Sequence, residues 1–518
     1  MEVHIVKKLV IVFMTMVLLC LLAVPAAAAT DEAIASANTL YNLGLFVGTG
    51  NDANGNPNFD LDRTPTRHEA VIMLVRLLGK EEEALAGTWT TPFTDVVYWA
   101  EPYVGYAYEN GLTVGTGATI FGGYSEISVS QYLTFVLRAL GYQNGVDFRW
   151  DRAWELSDKL GITNGQYNAN TAFTRGDVAI ISEKSLYVPE KGCAAYSEGL
   201  DYEVNTDGVT CSITGIGTCT DTEVIIPKFI DGYKVTYIGI GAFADCSSLT
   251  NVVIHDNVIS IAEGAFCYCT NLTDIRIPDS VTFIGSSAFE GCSSLTNIEI
   301  SDSVTSIGSA VFFGCSNLKS IELPDSVTSI GEYAFSGCSS LTSIQIPDSV
   351  TSISNFAFDG CSSLTSVEIP HSVTNIPIAA FRGCIRLTSI EIPDSVTSIA
   401  SRAFAGCSSL TDFEISDSVT SIGDSAFYAC IGLTSVKIPD SMTSIDGGAF
   451  SGCSSLTSIE IPNSMTSIDG WMFYNCSSLT SIHFNGTKAQ WAAMEKGGGW
   501  DSNTGKYTVY CTDGNITK

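Results

Sequence analysis

From residue 236 to residue 484 the apolar positions return every 23 residues. Phe243 through Phe473, Cys246 through Cys476 and Leu249 through Leu479 each recur eleven times without a slip, which is the mark of stacked supersecondary units. In the copy that opens at Leu341, the residues Leu341, Ile344 and Ile346 alternate inward as a short strand. Pro347 ends the pairing because it has no N–H to give, and Val350, Ile353, Phe358 and Cys361 fill the interior on the return. No single copy buries its own apolar face, so neighbours must stack into a parallel sheet along one side, over a continuous core. With strands about 4.8 Å apart, eleven copies make a body roughly 50 Å long.

Upstream the period changes to that of helices. Three weakly similar passes, 30–80, 93–142 and 150–187, each read as helix, loop, helix. The first carries Glu69-Ala-Val-Ile-Met-Leu-Val-Arg-Leu-Leu-Gly79 and the second Gln131-Tyr-Leu-Thr-Phe-Val-Leu-Arg-Ala-Leu-Gly141, with Arg76 and Arg138 at matching places. Glycine turns run Gly44 to Gly48, Gly111 to Gly115 and Gly161 to Gly165. Residues 188–235 are a linker and N-terminal cap, with short strands around a turn at Gly215 to Gly217 and a degenerate first repeat at Val224-Ile-Ile-Pro227. Residues 485–518 form a C-terminal cap: a short helix from Thr487 to Glu495, a break at Gly497 to Gly499 and a strand at Tyr507 to Cys511. The chain is therefore multidomain, an α-helical module followed by a solenoid with a parallel β-sheet.

The helical passes carry Phe93-Thr-Asp95-Val96 with Trp99 following, the glycine turns, and the helix starts Thr66-Arg67-His68-Glu69 and Thr174-Arg175-Gly176-Asp177. In these motifs they resemble S-layer homology domains, three of which pack into one pseudo-threefold wall-binding unit. The resemblance implies that Arg67 and Arg175 meet acidic secondary wall polysaccharide, often pyruvylated, with Gly48, Gly115, Gly165, Asp95 and Trp99 completing the sites. A guanidinium suits that task, because its fixed fork of donors matches a carboxylate, and a helix N-terminus adds free N–H groups. The competing role for each Arg is to pair with a neighbouring acid and hold the helix start. The middle pass reads Ser128-Val129-Ser130-Gln131, so Val129 stands where the motif has Arg. The 23-residue unit resembles the BspA-like leucine-rich repeats of bacterial surface proteins, which implies a solenoid that displays a binding face.

The first 29 residues read as an export signal: Lys7 and Lys8, an apolar run from Leu9 to Val24, then Pro25 and Ala26 to Ala29. Cleavage there leaves a secreted chain without a membrane span, retained at the cell wall. With 25 Lys and Arg against 55 Asp and Glu, the formal charge of −30 repels nucleic acid and anionic lipid, so neither is expected as a partner.

The outward strand position is Glu in six of eleven copies: Glu299, Glu322, Glu368, Glu391, Glu414 and Glu460, interrupted by Gln345 and Lys437. Stacking makes an acidic stripe flanked by Ser and Thr, either a solvated face or a groove for a protein or glycan ligand. The repeated Cys are expected to be buried, reduced thiols that fill space, and Cys211 with Cys219 is the expected disulfide. Asp52-Ala-Asn54-Gly-Asn56-Pro57 opens like a calcium loop, but Pro57 and Arg63 stand where Gly and Glu are needed, so it reads as a surface insertion. The five His residues lack a nucleophile or metal-ligand spacing around them, and no Gly-rich phosphate loop follows a strand. No catalytic centre, metal or cofactor is expected. The open choice is between an adhesin and a structural spacer or coat component.

Overall fold

The computed structural model of the chain describes residues 29–51, 55–191, 195–411 and 413–518. The leader, apart from its last residue, and the acidic start of the calcium-like loop lie outside them. The chain forms two compact units, one up to residue 195 together with 231–233, the other 196–230 with 234–518.

The first unit is helical. Its helices are α1 (Asp31–Asn42), α2 (Arg67–Leu77), α3 (Glu81–Ala86), α4 (Glu101–Glu109), α5 (Val129–Ala139), α6 (Trp154–Lys159) and α7 (Arg175–Ser185). The long second helices of the three passes, α2, α5 and α7, start in the same way. Thr66, Ser128 and Thr174 each accept the N–H of the residue three further on, and Glu69, Gln131 and Asp177 reach back to the cap's own N–H. Such a box satisfies two of the donors a helix start leaves open. The first residue of each helix, Arg67, Val129 and Arg175, thereby has one fixed direction. Apolar faces of all seven helices meet in one core that includes Ala37, Leu74, Val104, Leu133, Phe135 and Ile181. Around the insertion, Gly50–Asn51 pairs antiparallel with Pro57–Asn58.

The second unit is the solenoid. Strands of two to four residues pair in parallel with partners 23 residues away, as in Ser366–Glu368 with Ser389–Glu391 and Ser458–Ile461 with Ser481–Phe484. A second parallel ladder runs through the return limb, pairing Ser329–Ile330 with Ser352–Ile353 and Asn375–Ile376 with Ser398–Ile399 and then Ser421–Ile422. The repeat thus hydrogen-bonds to its neighbours on two limbs, not along one side alone. Inside, the eleven Phe rings from Phe243 to Phe473 stack at 5.1–6.3 Å with planes within 20° of parallel. Beside them, each Cys from Cys269 to Cys476 donates its S–H to the carbonyl of the Phe 26 residues earlier, at 3.0–3.3 Å. Burial pushes these thiols up, Cys315 and Cys476 to about 12. They are free, space-filling thiols.

The ends are closed differently. At the start, Asp201–Val204 and Thr210–Gly215 form an antiparallel hairpin whose turn lies at residues 205–209, not at Gly215 to Gly217. Glu223–Ile225 is the degenerate first repeat and pairs in parallel with Asn251–Val253. The disulfide expectation is corrected: Cys219 carries a free thiol. Cys211 points into the core from a strand paired with Val204 and Val235, whereas Cys219 lies beyond that strand's end, so the two never face one another across a hairpin. At the other end, helix α8 (Lys488–Ala493) precedes Thr508–Cys511, which adds in parallel to Ser481–Phe484 and turns back antiparallel to Gly514–Thr517.

Candidate functional site

Arg67 begins α2 and is 5% exposed. Its Nη2 donates to the Val114 carbonyl at 2.6 Å, and its guanidinium lies 5.0 Å from the ring centres of both Phe121 and Phe135. Its Nε is buried without a hydrogen-bond partner, and among the described residues it makes no ion pair. Burial and the nearby Arg138 lower it to about 10. Arg138 also leaves a buried Nη1 unpartnered. Arg67 and Arg138 both line one cavity of about 430 Å³. The wall between them carries Gln131, Thr134 and Phe135 of α5, and the loop of the second pass supplies Val114, Gly115 and Thr116. Asn144 and the half-exposed Trp150 complete it.

The contrast with neighbouring cations is chemical. Arg63 forks onto Glu69 at 2.7 and 3.0 Å, and Arg76 donates to Glu81 from Nε and Nη2. These two spend their donors on neighbouring carboxylates. Arg67 and Arg138 instead bring two positive charges to the lining of one partly desolvated space without a carboxylate beside them, an arrangement suited to an anionic group.

Arg175 begins α7 and is 4% exposed. Its Nε donates to the Phe59 carbonyl at 2.9 Å and its Nη2 to the Val47 carbonyl at 3.3 Å, next to Gly48. Burial lowers it from its ordinary value. The structure therefore brings Arg67 to the Gly115 turn and Arg175 to the Gly48 turn, so each of these Arg meets the glycine turn of another pass. A side chain at Gly115 would collide with the Ile120 carbonyl at 2.4 Å, and one at Gly48 with the Asn58 carbonyl at 2.9 Å. Val129, at the equivalent position of α5, brings no cation, and Gly165 spends its N–H on Asp158.

Asp95 and Trp99 are not in the cavity lining. Asp95 accepts the N–H groups of Phe121 and Gly122 at 2.6 and 2.8 Å. Burial works to raise it, but these bonds hold it below the usual carboxylate range. Its part is to clasp the loop that closes the site. Trp99 packs edge-on against His68. Sequence reasoning missed Arg138 as a site residue, although Gln131, Thr134 and Arg138 recur at helical spacing on one side of an otherwise apolar helix, a polar stripe on a buried element.

On the solenoid the outward column is in register. Arg276, Glu299, Glu322 and Gln345 bridge in sequence, Glu368 sits beside Glu391, and Lys437 is followed by Glu460 and His483. Glu414 keeps the same outward, exposed place. The Thr hydroxyls before the strands and the Ser hydroxyls of the following turns are committed. Thr342, Thr365 and Thr388 each donate to the carbonyl 23 residues earlier, and Ser349, Ser395 and Ser418 to the carbonyl 22 residues earlier. What the face offers a ligand is therefore its carboxylates and their interruptions, with the exposed strand Ser such as Ser366 and Ser389 beside them.

No helix among the described residues is long and apolar enough to cross a membrane. A cell surface protein of Thermoanaerobacter kivui is 35% identical over 155 residues, 29% of this chain and 19% of that protein. A middle cell wall protein of Brevibacillus brevis is 26% identical over 171 residues, 32% of this chain and 16% of that one. The chain spans less than a fifth of the length of these curated relatives, and their likeness places it among bacterial surface proteins. A crystal structure of a leucine-rich repeat protein from Bacteroides ovatus aligns over 57% of this chain and 71% of its own, at 34% identity and a TM-score of 0.47. The family described as BspA type leucine rich repeat region matches residues 219–328, 305–410 and 374–491. Since these matches take in just over half of its 518 residues, the chain belongs to the BspA-type leucine-rich repeat family.

Proposed function

We propose that the helical unit holds the chain to the bacterial wall by binding an acidic, pyruvylated wall polysaccharide through Arg67, while the solenoid presents the Glu column to a protein or glycan ligand. The observation that carries the first half is the buried Arg67 lining one cavity together with Arg138, with no paired acid among the described residues. Gln131, Thr134 and Asn144 suit sugar hydroxyls, and Trp150 offers a ring face to a pyranose. Arg175 is the weaker second site, because two of its donors are already spent on carbonyls. The reaction class is binding alone. The surface relatives support the setting.

The test is sedimentation of the full chain with purified wall fragments. Arg67→Gln is expected to reduce the bound fraction at least tenfold, in keeping with the loss of a charge-assisted contact of roughly 1.5–3 kcal/mol. Arg175→Gln is expected to have a smaller effect. Wild-type binding in the Arg67→Gln, Arg175→Gln double variant removes the assignment. For the solenoid, binding on protein and glycan arrays that disappears when Glu322, Glu368 and Glu391 become Ala supports an adhesin, and silence across them favours a spacer.

A further inference from the structure

His68 follows Arg67 in the first turn of α2 and is fully buried. Both of its ring nitrogens lack a hydrogen-bond partner. Three aromatic rings enclose it: Phe121 stacked at 5.5 Å, and Trp99 and Tyr124 edge-on at 5.4 Å. The remaining side is closed by Gly123, where a β-carbon would fall 1.9 Å from the imidazole. A buried polar group without partners is rare and calls for a reason.

The cage shares its parts with the cavity. Phe121 also lies against the Arg67 guanidinium. The loop that carries Phe121 and Gly123 is zipped onto the start of α2, since His68 donates its N–H to the Gly123 carbonyl and Arg67 its own to the Ser125 carbonyl. Asp95 clasps the same loop, and the loop's earlier residues Gly115 and Thr116 line the cavity.

We propose that His68 is an acid-sensitive latch, which keeps this loop closed as a neutral imidazole and releases it on protonation. The neutral ring fits an aromatic cage. The cation carries two N–H donors that need acceptors the cage does not offer, so charging the ring requires the loop to open toward water. The charged groups that bear on it are Asp95 from the adjoining loop and Glu69 from its own helix, which favour the cation, and burial outweighs both. A His whose folded affinity for protons lies below its unfolded one, near 6.5, destabilises the fold as pH falls through 6.5. Each unit by which the cage depresses it lowers the folding equilibrium constant about tenfold at acid pH. Glu69 and Asp95 contribute their own losses only below about 4.5, the upper end of the ordinary carboxylate range, so pH 6.5 to 4.5 isolates the imidazole within this unit.

The experiment is chemical denaturation of the full chain at pH 7 and pH 5, followed by hydrogen exchange of the helical unit, with deuterium exchange at the His68 ring carbon across the same range. Wild type is expected to lose protection in residues 112–127 at pH 5, and the imidazole to titrate below 6.5 with slowed ring exchange. His68→Phe and His68→Leu, which cannot be charged, are expected to keep pH 7 protection at pH 5. Ordinary titration near 6.5 with free exchange in the wild type overturns the latch even if neither variant folds. Full acid sensitivity in the variants does the same. No ligand takes part, so the outcome is separate from the fate of the Arg67 assignment.

Discussion

Ala429 occupies a position where seven other repeats have glycine. Gly291, Gly314, Gly337, Gly360, Gly383, Gly406 and Gly452 all hold φ between 70° and 79°, and Ala429 holds 57°. An L side chain costs roughly 1–2 kcal/mol in this left-handed region. Part of any relief is offset, because glycine also frees the unfolded chain by about 0.4–1 kcal/mol. Ala429→Gly is therefore expected to stabilise the solenoid by about 0.5–1 kcal/mol, read as a raised denaturant midpoint at unchanged slope. Gly360→Ala is the mirror experiment. The added β-carbon would meet nothing closer than 3.7 Å, so any loss reports the backbone conformation and not a clash. If both substitutions leave the midpoint where it was, the strain argument fails at this corner.

At the scale of the element, α2 depends on Glu69 more than its sister helices depend on theirs. Glu69 accepts the Thr66 N–H and hydroxyl, as Asp177 does from Thr174 whereas Gln131 takes the Ser128 N–H alone, and in addition takes both arms of Arg63. Burial works to raise it, yet these donors hold it at about 2. A carboxylate depressed in this way contributes stability above its unfolded value, near 4.5, and loses it progressively as pH falls toward 2. Glu69→Gln keeps the cap geometry but gives up the ion pair. It is expected to cost about 1–2 kcal/mol at pH 7 and to flatten the acid limb of the helical unit's unfolding below pH 4.5. A variant with the wild-type acid limb would place the lost charge elsewhere. These helix starts were legible as Thr-x-x-Glu and Thr-x-x-Asp, since a capping box is a local contact written in four residues. The partnership of Arg67 with Arg138 was not, because it depends on where the loop from Val114 to Ser125 carries the backbone. The same limit hid the true hairpin turn at residues 205–209 and produced the mistaken pairing of Cys211 with Cys219. Each needs the knowledge of which strand lies beside which, and one local run of residues does not contain it.

For the solenoid unit as a whole, the 23-residue period made the fold readable because every copy repeats the same demand. Phe and Cys columns meet their own kind above and below, so register is fixed by identity. What the period could not reveal was the second ladder on the return limb, or that the Thr hydroxyls before the strands and the Ser hydroxyls of the turns are spent on neighbouring repeats. Both follow from stacking and both make each repeat interchangeable inside the stack, while the ends remain special. The cap at 485–518 replaces a missing twelfth repeat with unlike parts: Trp500 lies 6.1 Å from Phe473, Trp491 5.3 Å from Phe484, and Thr508–Cys511 covers the edge of Ser481–Phe484. Excising one internal repeat, residues 350–372, joins Ser349 to Val373 in the same register and keeps the Phe, Cys and strand ladders, giving up the Arg382–Asp359 ion pair. That chain is expected to keep the parent's oligomeric state, with a cooperative unfolding transition close to the parent's. Truncation after Asn485 removes no repeat, yet it uncovers an apolar ring column and an unpaired strand edge, which is a template for association. Light scattering on size-exclusion peaks distinguishes them. The truncated chain should run as larger species than the parent while the shortened one does not, and a fully stable truncation in the parent's oligomeric state would show that the stack closes itself without the Trp500 and Trp491 cap.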